Sequence, residues 1–258
     1  MNLTVINNFL PHTKTEWGAL HQMSDLFPVE VDVILSVLSA RFTPKSLETC
    51  ELVLQEASFE HNEAATVVAF IARRCHNLQQ HLTRGFAEGD IQYLAWAART
   101  LFELKVFSEF VMQSDENRKR FIKDAFVDAS SAMQVAYQTV ATLLDEQTKI
   151  EGQKLLEQIK PDLTAKLENA GVTPSDKYLH VAALAKNLGI EAEYRIVNML
   201  LSKFTHTTGL SVILPFETEK KVATARESFL LLGAMNALHT INRLSDYAHT
   251  HGLPPLDN

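Results

Sequence analysis

Residues Tyr178–Ser211 read YLHVAALAKNLGIEAEYRIVNMLLSKFTHTTGLS. The run is a helix, a break at Leu188-Gly189, and a second helix. On the second helix Tyr194, Asn198, Ser202 and His206 follow one another at i,i+4 steps. At about 100° per residue they make one polar stripe, and Ile196, Val197, Leu200, Leu201 and Phe204 gather on the other side. Tyr, Asn, Ser and His are weaker helix formers than the Glu, Lys and Gln of an ordinary solvent face. Their side chains suit fixed hydrogen bonds. The stripe therefore reads equally as a solvent face or as the wall of a polar pocket. Nowhere in the stretch do apolar and polar residues alternate as a half-buried strand requires.

The rest of the chain has the same texture. Nine Gly and eight Pro among 258 residues leave long runs without a breaker. Leu, Ala, Glu, Gln and Met are plentiful, which favours an all-α bundle of about eight or nine helices. Helix starts are expected at Pro28, at Thr43-Pro44, near Asn62, after Asp90, at Ser114-Asp115, at Thr173-Pro174 and at Thr218. Trp17, Leu20 and Met23 hint at one further short helix. Pro161 should interrupt a polar helix over 148–170, and 209–216 (GLSVILPF) reads as an extended connector. We expect one helical domain over 1–258, with 1–60 an N-terminal subregion and 61–250 the core bundle.

Composition narrows the partners. The formal net charge is −7, with no long basic stripe to track phosphates, so duplex DNA is not expected. Arg118, Lys119, Arg120 and Lys123 form one compact basic cluster, read as a solvated, locally paired face. Cys50 and Cys75 read as free core thiols of a cytoplasmic protein. The most apolar window, Phe229–Ile241, is too short for a membrane span, and the first residues lack a secretory pattern. No H-E-x-x-H, E-x-x-H, P-loop or G-x-S-x-G occurs, and neither metal nor cofactor is expected.

The helix expected over Ile91–Gln113 is apolar almost all round, and it carries Arg99 and Glu103 one turn apart. On a helical wheel this pair falls in a sector with Trp96, Val106, Phe107 and Phe110. Lys105 and Glu109 fall near Ala95 and Ala98 and read as the water-facing side. A charge in an apolar sector is either paired for structure or placed for use.

Arg99 and Glu103, followed about a hundred residues later by Tyr194, Asn198, Leu201, Ser202 and His206, match an R-x-x-x-E and Y-x-x-x-[NY]-x-x-L-S-x-x-x-H pattern. Over about residues 60 to 250 the chain resembles an uncharacterised family of bacterial all-helical proteins. That family is grouped loosely with the HEPN-like domains of toxin and phage-defence systems. The resemblance implies a helical bundle with an Arg–Glu–His polar centre. In it Arg99 binds phosphate, His206 does proton transfer, Glu103 orients them, and Tyr194, Asn198 and Ser202 line the site. The family itself supplies no activity to carry over; from the resemblance and the wheel geometry together we expect a metal-independent ribonuclease acting on RNA or a nucleotide, and we further expect a homo-oligomer with a cognate protein partner. HEPN ribonucleases carry R-x(4–6)-H. The two matches here, Arg74 to His81 and Arg243 to His249, both omit His206. The competing expectation is a non-catalytic helical module that binds a protein or small ligand, with Arg99–Glu103 as a structural bridge.

Overall fold

The computed structural model describes residues 30–56, 62–141, 145–154, 157, 165, 179–206 and 218–256. Eight helices are bounded among them: α1 (Val31–Arg41), α2 (Pro44–Glu56), α3 (Glu63–Glu88), α4 (Ile91–Gln113), α5 (Asp115–Ala141), α6 (Val181–Asn187), α7 (Glu191–Thr205) and α8 (Glu219–Thr250). Residues 146–154 are helical too, and no strand occurs among the described residues. The all-α expectation holds. The helix expected near Trp17, the interruption at Pro161 and the connector at 209–216 lie outside the described residues.

Short polar residues set the helix ends. Thr43 Oγ1 accepts the Ser46 amide at 3.1 Å, and Ser46 Oγ accepts the Thr43 amide at 3.1 Å, a reciprocal cap ahead of Pro44. Asn62 accepts from Ala65 N at 3.0 Å, Asp90 from Tyr93 N at 2.9 Å, and Ser114 from Asn117 N at 3.1 Å. Gly89 closes α3 and Gly189 separates α6 from α7, both at positive φ. An L side chain is strained there, which is why glycine holds both breaks.

The chain divides into two compact units, residues 1–109 with 185–258, and residues 110–184. In the first, α3 and α8 run antiparallel and in contact. Cys75 Sγ meets Ala237 O at 3.5 Å, and Leu82 packs where a Cβ on Gly233 would stand. Arg226 donates to Phe86 O, and its guanidinium lies 5.0 Å from the Phe86 ring, so a cation satisfies the carbonyl end of α3. Leu78, Leu82, Phe229, Leu230 and Leu244 are fully enclosed. Helix α2 packs on α3 through Val53, Ala65 and Ala69. Helix α1 is tied to α8 by Arg41, which donates to Asn242 Oδ1 and Ser245 Oγ at 3.1 Å each. Cys50 and Cys75 are free and buried, and burial pushes the Cys50 thiol up to about 11.

In the second unit α5 is anchored by its first turn. Asn117 Nδ2 donates to Phe110 O at 3.0 Å and Arg118 Nη1 to Val111 O at 3.1 Å. Arg118 also pairs with Asp115, and Arg120 lies over the Phe110 ring. Further on, Asp124 accepts the Leu179 amide at 2.7 Å. The basic cluster is locally paired at Arg118, as expected, but only half of it is the solvated face expected from its charge. Arg118 and Lys123 are buried, and only Lys119 and Arg120 are exposed. Arg118 goes inward because the last carbonyls of α4 lack intrahelical donors and a guanidinium can supply them. Among the described residues no helix is long and apolar enough to cross a membrane.

Candidate functional site

Helix α4 is buried on most of its circumference. Leu94, Ala95, Ala97, Ala98, Leu101, Phe102, Val106 and Ser108 are enclosed, and so is Lys105. The partly open line runs Tyr93, Trp96, Arg99, Glu103, Phe107. The wheel placed Trp96, Arg99, Glu103 and Phe107 together, but Val106 and Phe110 of the same sector are buried, and so is Lys105 on the side expected to face water. Alanines let neighbouring backbones approach, so the Ala95 and Ala98 side is the deepest. Large aromatic side chains cover the rim, where their polar edges reach water.

Lys105 shows how a charge follows that geometry. Its stem is buried, and Nζ lies 5.5 Å from the centre of the Phe102 ring and reaches Glu193 Oε1 of α7 at 2.6 Å. The lysine side chain is 9% exposed and the glutamate 27%. Glu193→Gln should cost about 1–3 kcal/mol, because it leaves a nearly buried ammonium without its charged partner. Lys105→Met should cost less, since the remaining carboxylate can turn to solvent. Urea denaturation of the two variants measures the difference, and equal losses would contradict the asymmetry.

The expected meeting of the two helical segments is present in the first unit. Arg99 Nε donates to Glu103 Oε1 at 3.0 Å, and Nη1 donates to Thr205 Oγ1 of α7 at 3.3 Å. The Arg99 and Glu103 side chains are 26% and 29% exposed, so they are open to a ligand while held in place. The Tyr194 ring lies 6.3 Å from Phe102. Tyr194, Asn198 and Ser202 are half-buried along the rim of α7, and Val197, Leu200, Leu201 and Phe204 fill its inner face. Ser202 Oγ points back to Met199 O at 3.5 Å. His206 is the exposed C-cap of α7, directly after the threonine that Arg99 contacts, and its backbone turns extended with ψ 153°. The structure thus brings Arg99, Glu103 and the end of α7 together. Asn198 makes no hydrogen bond with Arg99 or Glu103 among those observed.

Two further groups were not assembled by the sequence reading. Glu109 Oε1 accepts from His239 Nε2 at 2.7 Å and from Arg243 Nε at 3.3 Å, both on α8. The His239 N–H, and after it the Arg243 guanidinium, hold the Glu109 carboxyl below its usual range although partial burial opposes them. This is a second Arg–Glu–His constellation, with the imidazole oriented by a carboxylate. The only signal for it in the sequence is the i,i+4 spacing of His239 and Arg243, which does not name a partner 130 residues away. The other group is His81, Tyr93 and Trp96. The Tyr93 hydroxyl is hydrogen-bonded to His81 Nδ1, and the Tyr93 and Trp96 rings stack at 5.6 Å and 12°. His81, the histidine of one R-x(4–6)-H match, thus packs against this ring pair. Among the described residues no three His, Cys, Asp or Glu side chains gather closely enough to hold a metal ion.

This arrangement defines an all-helical protein with a partly open polar centre at the contact of two helices. The chain belongs to the family of unknown function DUF5677, which matches it over residues 66–220. That span holds Arg99, Glu103, Tyr194, Asn198, Ser202 and His206, and ends before His239 and Arg243. No curated protein and no solved structure matches the chain.

Proposed function

We propose that this chain is a HEPN-like helical protein of defence or toxin type that acts on RNA, as a metal-independent ribonuclease, through Arg99, Glu103 and His206. The observation that carries the reading is the Arg99–Thr205 hydrogen bond at 3.3 Å. It sets a guanidinium beside the residue that precedes an exposed histidine. A fixed, partly dehydrated cation stabilises the charge that develops on a phosphodiester. An imidazole within reach moves the proton to or from the reacting oxygen. Glu103 holds the guanidinium plane from Nε and leaves Nη2 for a phosphate oxygen.

Expression with and without Arg99→Ala and His206→Ala, scored for growth arrest and RNA integrity, tests the assignment. Each substitution should abolish both effects while helical circular dichroism stays intact, and chelator should leave the wild-type activity in place. If both variants keep full activity, the assignment is wrong. His239→Ala belongs in the same series, because the 2.7 Å Glu109–His239 bond makes that histidine the better-oriented one. Loss of activity there alone would move the centre to α8.

A second reading has its own observation. Both hydrogen bonds found on Arg99 go to groups of the protein itself. A non-catalytic helical module that binds a protein or small ligand uses Arg99–Glu103 as a bridge. Under this reading Arg99→Ala lowers the melting temperature and leaves RNA untouched.

A further inference from the structure

We infer that Tyr93 and Trp96 form a stacking platform for a nucleobase of single-stranded RNA whose phosphate lies at Arg99. The inference rests on the RNA reading above and adds the subsite that would grip the chain beside the reacting phosphate.

Three observations carry it. First, α4 turns its alanines inward, and Tyr93 and Trp96 lie on its partly open line while most of its circumference is enclosed. Second, the pair is already built and stiff. The rings are stacked within 12° of parallel. The Tyr93 hydroxyl is fixed by His81, and the His81 ring stands edge-on to Tyr93 and to Trp96 at 5.6 Å each. Gly85 permits this, because a Cβ there would meet Leu94 N at 3.0 Å and Tyr93 Cδ1 at 3.2 Å. A ring held this way loses little freedom when a ligand stacks on it. Third, Trp96 and Arg99 are three residues apart on one helix face, so the two side chains leave the helix beside each other. A base and its own phosphate are separated by one sugar, which is the scale of that spacing.

Each base has a π-face, so a platform of this type takes single strands with little sequence preference. A duplex, whose bases are stacked on each other, does not reach it. The aromatic pair and the cation together fit a nucleotide chain better than a greasy peptide, because the polar rim of His81, Arg99 and Glu103 would be left unmatched by an apolar partner.

The chain has two tryptophans, Trp17 and Trp96. In a Trp17→Phe background the intrinsic fluorescence therefore reports on Trp96. Titration with single-stranded oligoadenylate should quench it saturably, and a duplex of the same length should not. Trp96→Leu should weaken oligoadenylate binding by about 5- to 150-fold, the range for loss of one stacked base. Trp96→Phe should recover most of that loss, which separates stacking from a folding defect. Arg99→Ala should weaken binding but leave the quenching at saturation. If the oligonucleotide binds without quenching and Trp96→Leu binds as tightly as wild type, the platform is wrong and the RNA reading survives. If no RNA binds at all, the RNA reading falls and takes the platform with it.

Discussion

Phe229→Ala should cost this protein about 3–5 kcal/mol of stability. Phe229 is fully enclosed and meets Phe204 of α7 edge-on, at 5.0 Å and 66° between the rings. The loss combines the transfer of a large ring with the cavity it leaves, and an edge-to-face pair adds about 0.5–1.5 kcal/mol. For a domain whose whole stability is about 5–15 kcal/mol, such a change comes close to unfolding it. Phe204→Ala should cost a similar amount, and the double variant should lose less than the sum, because the two rings share one contact. Urea denaturation of the four proteins measures this, and a single-variant loss under about 1 kcal/mol would place the ring outside the core. The pair matters to the site as well. Phe204 immediately precedes Thr205 and His206, so the Phe229 ring seats the turn that Arg99 contacts.

The second large effect is on pH dependence. His76 is 2% exposed, its Nε2 has no hydrogen-bond partner among the described residues, and Phe42 covers it edge-on at 5.0 Å. Burial, and after it the charge of Arg41, depress the imidazole from 6.5 to about 4. Between those two values the unfolded chain binds a proton that the folded chain refuses, so stability rises with pH there and falls on acidification. Above pH 6.5 the contribution is whole, and by pH 4 it has been lost, a change of about 3 kcal/mol at 1.36 kcal/mol per unit. Glu109 acts in the same direction, because its depressed carboxyl contributes above the unfolded carboxylate range and is lost as pH falls through the folded one. The comparison with His76→Gln removes that background. Stability of the variant, followed by denaturant titration from pH 4.5 to 7, should slope less than wild type. Arg41→Gln should also flatten the curve, by removing the repulsion. Parallel curves for wild type and His76→Gln would show that this histidine is not the group responsible.

The helix boundaries were readable because they are local. Asn62, Asp90, Ser114, Thr43 and Gly89 act on amides within a few residues, and short polar or achiral side chains at those points leave few alternatives. The pairing of α4 with α7 could be anticipated from Arg99 and the stripe starting at Tyr194, since a charge on a mostly apolar helix needs company. Depth was not readable. A wheel ranks Trp96 above Ala95, yet the alanine is enclosed and the tryptophan is on the rim. The ranking fails because close helix contact selects small side chains, and a list of hydrophobicities does not say where contact is close. The same limit hid Lys105, whose apolar stem tolerates burial once Glu193 is found. The Glu109–His239 bond was beyond reach, because nothing near either residue specifies the other.

The antiparallel contact of α3 with α8 has a consequence in time. Cys75 and Ala237 touch across 162 residues of chain. At a synthesis rate of roughly 5–20 residues per second, α3 waits roughly 8 to 30 s on the ribosome before the helix that covers it has been made. During that interval Leu78 and Leu82 have no partner from α8, and Gly233 has yet to arrive to admit Leu82. Until α8 has been made, the side of α3 that carries Leu78 and Leu82 therefore lacks its cover, even with α2 already in place.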